Sequence, residues 1–552
     1  MTLEAASHPS ARRRAMMPSL WSLGAVAIAL VVVLPIAAVV WLAFFPENNI
    51  WPHLLSTTLP RYLKNTAILM VSVGLLSGMV GTGAAWIVSR YRFPGAGWLE
   101  WALLLPLAIP AYVGAYALVD LLEYAGPVQT ALREIMGWKT SRDYWFPQIR
   151  SIGAAVVVLS AALYPYVYLL ARAAFREQPA SAEEVAMSLG AGAFERFRRI
   201  GLPLARPAIA AGMAIVMMET VNDFGTVEFF AVQTLTTGIF SVWLDGSNAG
   251  GAAQIATVVL VLVVFLMGLE KSSRRRARFF NLSSRHRPVE RVRLTGSAGW
   301  LALGLCLVPF LLGFVLPAWV ILSHALSNAE RWADPGLLDA LKNTVFVGGV
   351  ASALTVLAGI FMVYGVRLSG SALPKLLLPL TTIGYAAPGA VLGVGILIPL
   401  ASFDHAVADA VEAATGYDIG LVMTGSAAAL ILAYAVRFFA IAQGAADAAM
   451  GRVSPSLPMA ARSLGRTQGR VLWEVYVPMM RASVASALLL VFVDCVKELP
   501  ATLLLRPFNF NTLATRVHEQ ASLENLGQAA PAAVLVILVG LVAVGMLART
   551  NR

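Results

Sequence analysis

The chain has 552 residues, of which 58% are hydrophobic and 13% charged, with a formal net charge of +11 and two cysteines. Soluble domains hold about half apolar and about a quarter charged residues, so this balance excludes an ordinary soluble protein, and the lack of ten-residue alternating segments excludes a transmembrane β-barrel. Cys306 and Cys495 both fall within apolar stretches, which argues against a disulfide framework or a thiolate metal motif.

Apolar runs of about twenty residues, each able to cross about 30 Å of hydrocarbon as a helix, recur along the whole length. The first half is expected to span the membrane near 21–45, 66–89, 98–122, 149–175, 207–232 and 252–270, and the second near 298–323, 344–366, 374–401, 421–444, 482–505 and 529–548. The first run follows basic residues, shows no small-residue cleavage site and exceeds a leader's apolar core, so it reads as the first membrane helix. Pro106, Pro110, Pro379 and Pro388 lie inside expected spans and predict kinked or broken helices. The expected class is an all-α polytopic membrane protein with about twelve transmembrane helices in two pseudo-symmetric six-helix halves.

Most of the 41 Lys and Arg residues fall on the side of the two termini, which places both termini in the cytoplasm. The positive charge is therefore an orientation signal; membrane lipid is an expected partner and nucleic acid is not. The expected units are 1–270, a basic cytosolic linker at 271–293, and 294–552. Leu63-Lys64-Asn65-Thr66 recurs as Leu341-Lys342-Asn343-Thr344 just before the second span of each half. Two halves of six spans share one topology, so a pseudo-twofold axis along the membrane normal and a pathway between the halves are expected.

A second repeat sits between the fourth and fifth spans. Segment 181–206 carries Glu184-Val185-Ala186, Gly190, Phe197, Ile200, Leu202 and Pro203; segment 456–481 carries Met459-Ala460-Ala461, Gly465, Val475, Val477 and Pro478. In both, proline follows glycine by thirteen residues. A helical turn, a glycine corner and a second short helix are expected, with proline in the first turn of the next span. Phe197, Ile200 and Leu202 are expected as apolar knobs on a basic surface. A plain amphipathic connector on lipid headgroups is the bland alternative.

The fifth spans carry ionisable groups where charge is costly. Glu219, Asn222 and Asp223 are spaced to share one helical face, and they fall opposite Asp494, Lys497 and Glu498 in the second half. Lining of a pathway is one reading, with a preponderance of acids favouring a cation; a static Asp494–Lys497 pair within one helix is the other. The six histidines show no ligand spacing. His518 and the Tyr164–Tyr168 stretch could meet a metal complex, or simply belong to interfacial belts.

The hairpin segments resemble the Glu-Ala-Ala loop of binding-protein-dependent ABC importer permeases, whose pattern continues with glycine and Ile-x-Leu-Pro. Glu184, Ala186, Gly190, Phe197 and Pro203 match in the first copy, and Ala461, Gly465 and Pro478 in the second, where Met459 replaces the acid. Asp223-Phe224-Gly225-Thr226-Val227 and Lys497-Glu498-Leu499-Pro500-Ala501-Thr502 look like the two halves of fused ferric-iron permeases, and the similarity covers essentially the full length. The resemblance implies a type I importer permease fold, loops that dock on two copies of a cytosolic ATPase, and a periplasmic solute-binding protein that delivers ferric iron. No Gly-x-x-x-x-Gly-Lys-Ser/Thr segment occurs, so ATP and magnesium are expected on the partner, no cofactor or metal on this chain, and no enzymatic activity of its own. Relatives with this plan carry thiamine or 2-aminoethylphosphonate, which remain alternative cargoes. A proton-coupled secondary transporter working through Glu219 or Asp494 is the rival of another class.

Overall fold

The computed structural model describes residues 20–46, 48–275, 291–368, 372–382, 384 and 387–550; of the expected linker 271–293, residues 276–290 lie outside this set. Among the described residues the regular structure is helical apart from one two-stranded parallel sheet. The first half contains α1 (Leu20–Phe44), α2 (Trp51–Arg90), β1 (Tyr91–Arg92), α3 (Ala96–Ala102), α4 (Ala111–Leu122), α5 (Pro127–Met136) and α6 (Ile152–Arg176). It continues with α7 (Ala180–Ser188), α8 (Ala193–Asn222), α9 (Gly225–Phe229), α10 (Leu235–Phe240) and α11 (Ala249–Arg275). The second half contains β2 (Val292–Arg293), α12 (Ser297–Ser327), α13 (Pro335–Leu368), α14 (Ala372–Leu380), α15 (Gly389–Thr415) and α16 (Ala427–Gly451). It ends with α17 (Ser456–Ser463), α18 (Gln468–Lys497), α19 (Pro500–Leu505), α20 (Leu513–Ser522) and α21 (Leu526–Thr550).

Among the described residues, 11 helices are long and apolar enough to cross a membrane, and a pair bent by 92° between residues 96–108 and 111–136 makes up to 12. The bend is a proline effect. Pro110 is extended at φ −57° and ψ 140° and starts α4; Pro388, at φ −54° and ψ 146°, starts α15 in the same way. A proline has no N–H to donate and its ring crowds the preceding turn, so each third span restarts as a new helix. The single span expected at 374–401 is thus two helices, α14 and α15.

The fifth spans end earlier than their apolar runs suggest, at Asn222 and Lys497 rather than 232 and 505. Apolar sequence continues past both points, but it is folded into the short helices α9 and α19, each followed by a second short helix, α10 or α20.

Three helices form the centre of each half: α2, α6 and α8 in the first, α13, α16 and α18 in the second. Around them the first helices are exchanged. α1 packs on α13 and α15 of the second half, where Ala25, Ala29 and Val32 join Val347, Ala351 and Val391 in one buried cluster. The first part of α12 packs on the first half, where Ala302, Cys306 and Phe310 join Leu69, Val73 and Leu159, while Val320, Ile321 and Ala325 near its end pack on α21 of its own half. Lipid tails are as apolar as leucine, so close packing of small side chains, rather than hydrophobicity, holds such helices together. Trp21 stacks on Phe361 at 4.8 Å between ring centroids and fixes the α1 end of this exchange.

Candidate functional site

A cavity of about 190 Å³ lies where the broken third span of the first half meets the ends of both fifth spans. Leu107, Pro110 and Tyr112 line one wall; Glu219, Asn222 and Asp223 line a second; Arg437, Asp494, Lys497 and Glu498 line the third. All six polar positions singled out in the fifth spans therefore converge on one space, with Arg437 and Tyr112 as additions that no motif had marked. Arg437 is an arginine within an apolar run, which is the signal that could have found it.

The six do not have equal roles. Asp223 is not on the helical face of Glu219 and Asn222: it lies just past the end of α8 in extended conformation, φ −66° and ψ 134°. Its carboxylate accepts the backbone N–H groups of Thr226 and Val227, both at 3.1 Å, and the Thr226 hydroxyl at 2.9 Å, and so caps α9. Glu498 repeats this arrangement at the end of α18, with φ −67° and ψ 119°, accepting the backbone N–H of Ala501 at 3.0 Å. It also pairs with Arg437, whose Nε lies 3.1 Å from Oε2, with both side chains nearly sealed from solvent. Asn222 and Asp223 in one half, Lys497 and Glu498 in the other, thus mark the same helix end.

The Asp494–Lys497 ion pair, the alternative reading of this helix, is not formed. Lys497 Nζ donates to the Leu107 carbonyl in the first half at 2.6 Å, because a carbonyl freed by the broken third span is the nearer acceptor. Glu219 and Asp494 have no hydrogen-bond or ion-pair partner among the described residues, and the Asn222 Oδ1 and Tyr112 hydroxyl are buried without partners. Arg437 pairs with Glu498 through Nε and leaves Nη1 without a partner, and Lys497 is held by a carbonyl, so four carboxylates face the space against two cations. Such a surface suits a hard cation. Among the described residues, no three His, Cys, Asp or Glu side chains are grouped to chelate a metal ion.

On the side of the cavity toward α20, the halves touch through polar contacts. His518 Nε2 lies 3.3 Å from Glu228 Oε2 of the first half, and the Tyr116 hydroxyl lies 2.9 Å from His518 Nδ1. Arg150 pairs with Glu123 at 3.1 Å and with Glu524 of the second half at 2.7 Å. The Tyr164–Tyr168 stretch is mostly elsewhere: Tyr164 and Tyr168 are fully buried in the first-half core, the latter donating to the Glu100 carbonyl at 2.8 Å, and only Tyr166 reaches the cavity.

The two repeated segments fold alike. α7 ends in a Schellman turn: Gly190 N–H donates to the Met187 carbonyl at 3.0 Å and Ala191 N–H to the Ala186 carbonyl at 2.9 Å. α17 ends with Gly465 N–H on the Arg462 carbonyl at 3.0 Å and Arg466 N–H on the Ala461 carbonyl at 3.1 Å. Both glycines have φ +81°, a conformation that strains any residue with a Cβ. The spacing from Ala186 to Gly190, and from Ala461 to Gly465, is the length of this turn. Pro203 and Pro478 each follow a wider π turn, at Phe197–Gly201 and Leu472–Tyr476, where the missing proline N–H is accommodated.

Exposure in the hairpins differs from the sequence expectation. Phe197 is half-buried against Trp86, at 5.2 Å between rings, so it roots the first hairpin in the bundle instead of standing out as a knob. Tyr476 does the equivalent against Tyr364 at 5.5 Å. The outward apolar groups are Leu189 and Leu464, 81% and 82% exposed at matching positions, with Val185 and Phe194 beside the first and Met459 and Trp473 beside the second. Glu184 is exposed on the same turn.

Residues 70–279 match the family described as binding-protein-dependent transport system inner membrane component. The chain is 26% identical to the Fe(3+)-transport system permease protein FbpB 2 of Haemophilus influenzae, over 86% of this chain and 87% of that one. It is 25% identical to the ferric transport system permease protein FbpB of Actinobacillus pleuropneumoniae, over 81% of this chain but only 64% of the relative. The sulfate transport system permease protein CysT of Salmonella typhimurium is 27% identical over a shorter stretch, 44% of this chain and 86% of that one. The first half of the chain thus carries a domain that matches the inner-membrane components of binding-protein-dependent transport systems, and along most of its length the chain is similar to ferric transport permeases.

Proposed function

We propose that the chain is the membrane subunit of an ATP-driven importer that takes ferric iron from a periplasmic binding protein and releases it into the cytoplasm, with both termini and both hairpins cytoplasmic. The observation that carries this reading is the matched pair of hairpins. Each presents a bare leucine on a rigid glycine-terminated turn, and each is rooted by an aromatic contact to a central helix. An amphipathic connector resting on headgroups has no need for this duplicated, outward-facing geometry.

In this mechanism two copies of a separate ATPase, using ATP and magnesium, dock on 181–206 at Glu184 and the turn set by Ala186 and Gly190, and on 456–481 at the turn set by Ala461 and Gly465, while Phe197, Pro203 and Pro478 join the hairpins to the bundle. Phe197 against Trp86, and Tyr476 against Tyr364, carry the motion into α2 and α13. Opening on the opposite side separates Glu228 from His518 and Arg150 from Glu524, and admits cargo to the cavity. Glu219 and Asp494, with Asn222 beside them, meet the cation; Asp223, Lys497 and Glu498 hold the helix ends that shape its route. Ferric iron is favoured over sulfate because both cations of the cavity already have partners while two carboxylates do not.

The test is uptake into vesicles holding this chain, its ATPase and an iron-loaded binding protein. ATP-dependent accumulation of ferric iron is expected. Uphill uptake by the chain alone, collapsing with the proton gradient, would establish the secondary transporter instead. ATP-dependent uptake of thiamine or 2-aminoethylphosphonate, without iron, would keep the machine and change the cargo.

A further inference from the structure

On another face of α6 from the cavity, an apolar groove of about 660 Å³ runs between α2, α6 and α12, at the seam where the first helix of the second half lies on the first half. Leu76, Met79, Ile87, Leu301, Leu305 and Val308 are among its walls, and apart from the Ser160 and Tyr164 hydroxyls its lining is aliphatic and aromatic. Along α12 it extends from Trp300 to Leu312. Twelve residues of helix rise about 18 Å, close to the roughly 15 Å depth of one leaflet's hydrocarbon.

One end of the groove lies toward the hairpins, since Ile87 is near the end of α2 and Trp300 near the start of α12, and α6, whose last turn approaches the same region, leads into α7. At this end β1 and β2 pair in parallel, Arg92 opposite Arg293, and Leu294 N–H donates to the Arg92 carbonyl at 2.9 Å. Six arginines gather here, and they divide into two kinds. Arg90 binds the Gln178 side chain at 2.7 Å, and Arg291 reaches Glu100 at 3.2 Å, a carboxylate that also pairs with Arg172 and Arg176. Arg92 and Arg293 are exposed and have no side-chain partner among the described residues. Arg92 follows the groove-lining Ile87 by five residues and Arg293 precedes the groove-lining Trp300 by seven, so the paired strands lie beyond the hairpin-side end of the groove, where Trp300 is 66% exposed, as an interfacial indole is.

We propose that the groove and this arginine pair form one binding site for an anionic phospholipid of the hairpin-side leaflet, with an acyl chain lying along α12 and the phosphate between Arg92 and Arg293. An apolar slot one leaflet deep selects an acyl chain but not a headgroup; two unpartnered guanidinium groups at its rim add the selection, because they bind phosphate oxygens in a planar, forked geometry and favour a net negative headgroup. A lipid held there bridges the chain just before α3 to the chain just before α12. It would clamp the seam between halves, a role distinct from the bulk lipid around every span.

The experiment is native mass spectrometry of the full-length protein after exchange into phosphatidylglycerol or phosphatidylethanolamine. Retention of one phosphatidylglycerol, several-fold above phosphatidylethanolamine, is expected. The R92Q/R293Q double variant should lose that preference and keep the weaker phosphatidylethanolamine signal. Gly304→Leu should lower retention of both lipids, because a side chain there enters open groove without meeting protein. Equal retention of the two lipids by the unaltered protein, or a preference that survives R92Q/R293Q, overturns the proposal. Displacement of the bound lipid by millimolar inorganic phosphate alone would also overturn it, since the site would then be one for a free anion.

Discussion

The backbone N–H of Leu235 donates to the hydroxyl of Thr66 at 3.0 Å, across 169 residues of chain. In the second half, Leu513 N–H donates to Thr344 at 2.8 Å, across the same separation. Asn65 and Asn343 add donors to the carbonyls of Gln233 and Asn511, at 2.8 and 3.0 Å. The repeated tetrapeptide is therefore a clamp that holds the start of α10 and of α20, each of which also carries a threonine capping box. Only its last two residues do this; Lys64 and Lys342 face outward.

Thr66→Val and Thr344→Val should each lower stability by about 1 kcal/mol, the usual cost of removing a helix-start acceptor. The two should add in the double variant, because the sites share no partner. Lys64→Ala and Lys342→Ala should change little. Thermal unfolding of purified protein in one detergent checks all five.

Gly190→Val and Gly465→Val force a branched residue to φ +81°, a strain of roughly 1–3 kcal/mol confined to the hairpin. Membrane insertion and global stability should hold while transport and co-purification of the ATPase fall. Leu189→Asp and Leu464→Asp should weaken co-purification without any backbone change, since both side chains are bare. If all four variants retain the ATPase, the hairpins are not its docking site.

The acids of the cavity should separate into two groups. Glu219→Gln and Asp494→Asn remove charge from groups without partners, so transport should fall several-fold or more with stability unchanged. Asp223→Ala removes a cap and should cost about 1 kcal/mol. Glu498→Gln leaves Arg437 buried and unpaired, a loss of about 3–5 kcal/mol. Paired measurements of iron uptake and thermal stability distinguish the groups.

Arg437→Leu should be severely destabilising alone, and much less so with Glu498→Leu, because a buried pair replaced on both sides no longer leaves a charge without its partner. The double variant should fall short of full recovery by about the value of the α19 cap, which Glu498 also supplies.

Arg150→Glu should loosen the contact between halves, and Glu524→Arg added to it should restore the contact in part, because residue 150 also loses its pairing with Glu123. Half-exposed ion pairs contribute only about 0–1 kcal/mol, so the expected change is in the opening equilibrium, read as raised basal ATP hydrolysis by the assembled complex, and not in folding.

Much of this protein was legible without coordinates. Hydrocarbon thickness sets a length for apolar runs, so the spans could be located one by one; prolines at 110 and 388 marked where the third spans break; and the two hairpins announced themselves because a Schellman turn demands glycine at a fixed distance from the helix before it. What failed to show is where opposing preferences are settled by neighbours. The apolar runs past Asn222 and Lys497 look like helix, yet Asp223 and Glu498 end it by capping the next element, and only folding brings Thr66 within reach of Leu235 and Thr344 within reach of Leu513. Lys497 was spaced to pair with Asp494, but a carbonyl freed in the other half competes for it. The exchange of α1 and α12 between halves leaves no trace in hydropathy, since lipid and protein are equally apolar surroundings for a helix. Sequence determined which segments enter the membrane, because that depends on each segment's own transfer energy; tertiary structure decided which faces meet and which charges remain free, because those depend on the shape and donors of partners hundreds of residues away.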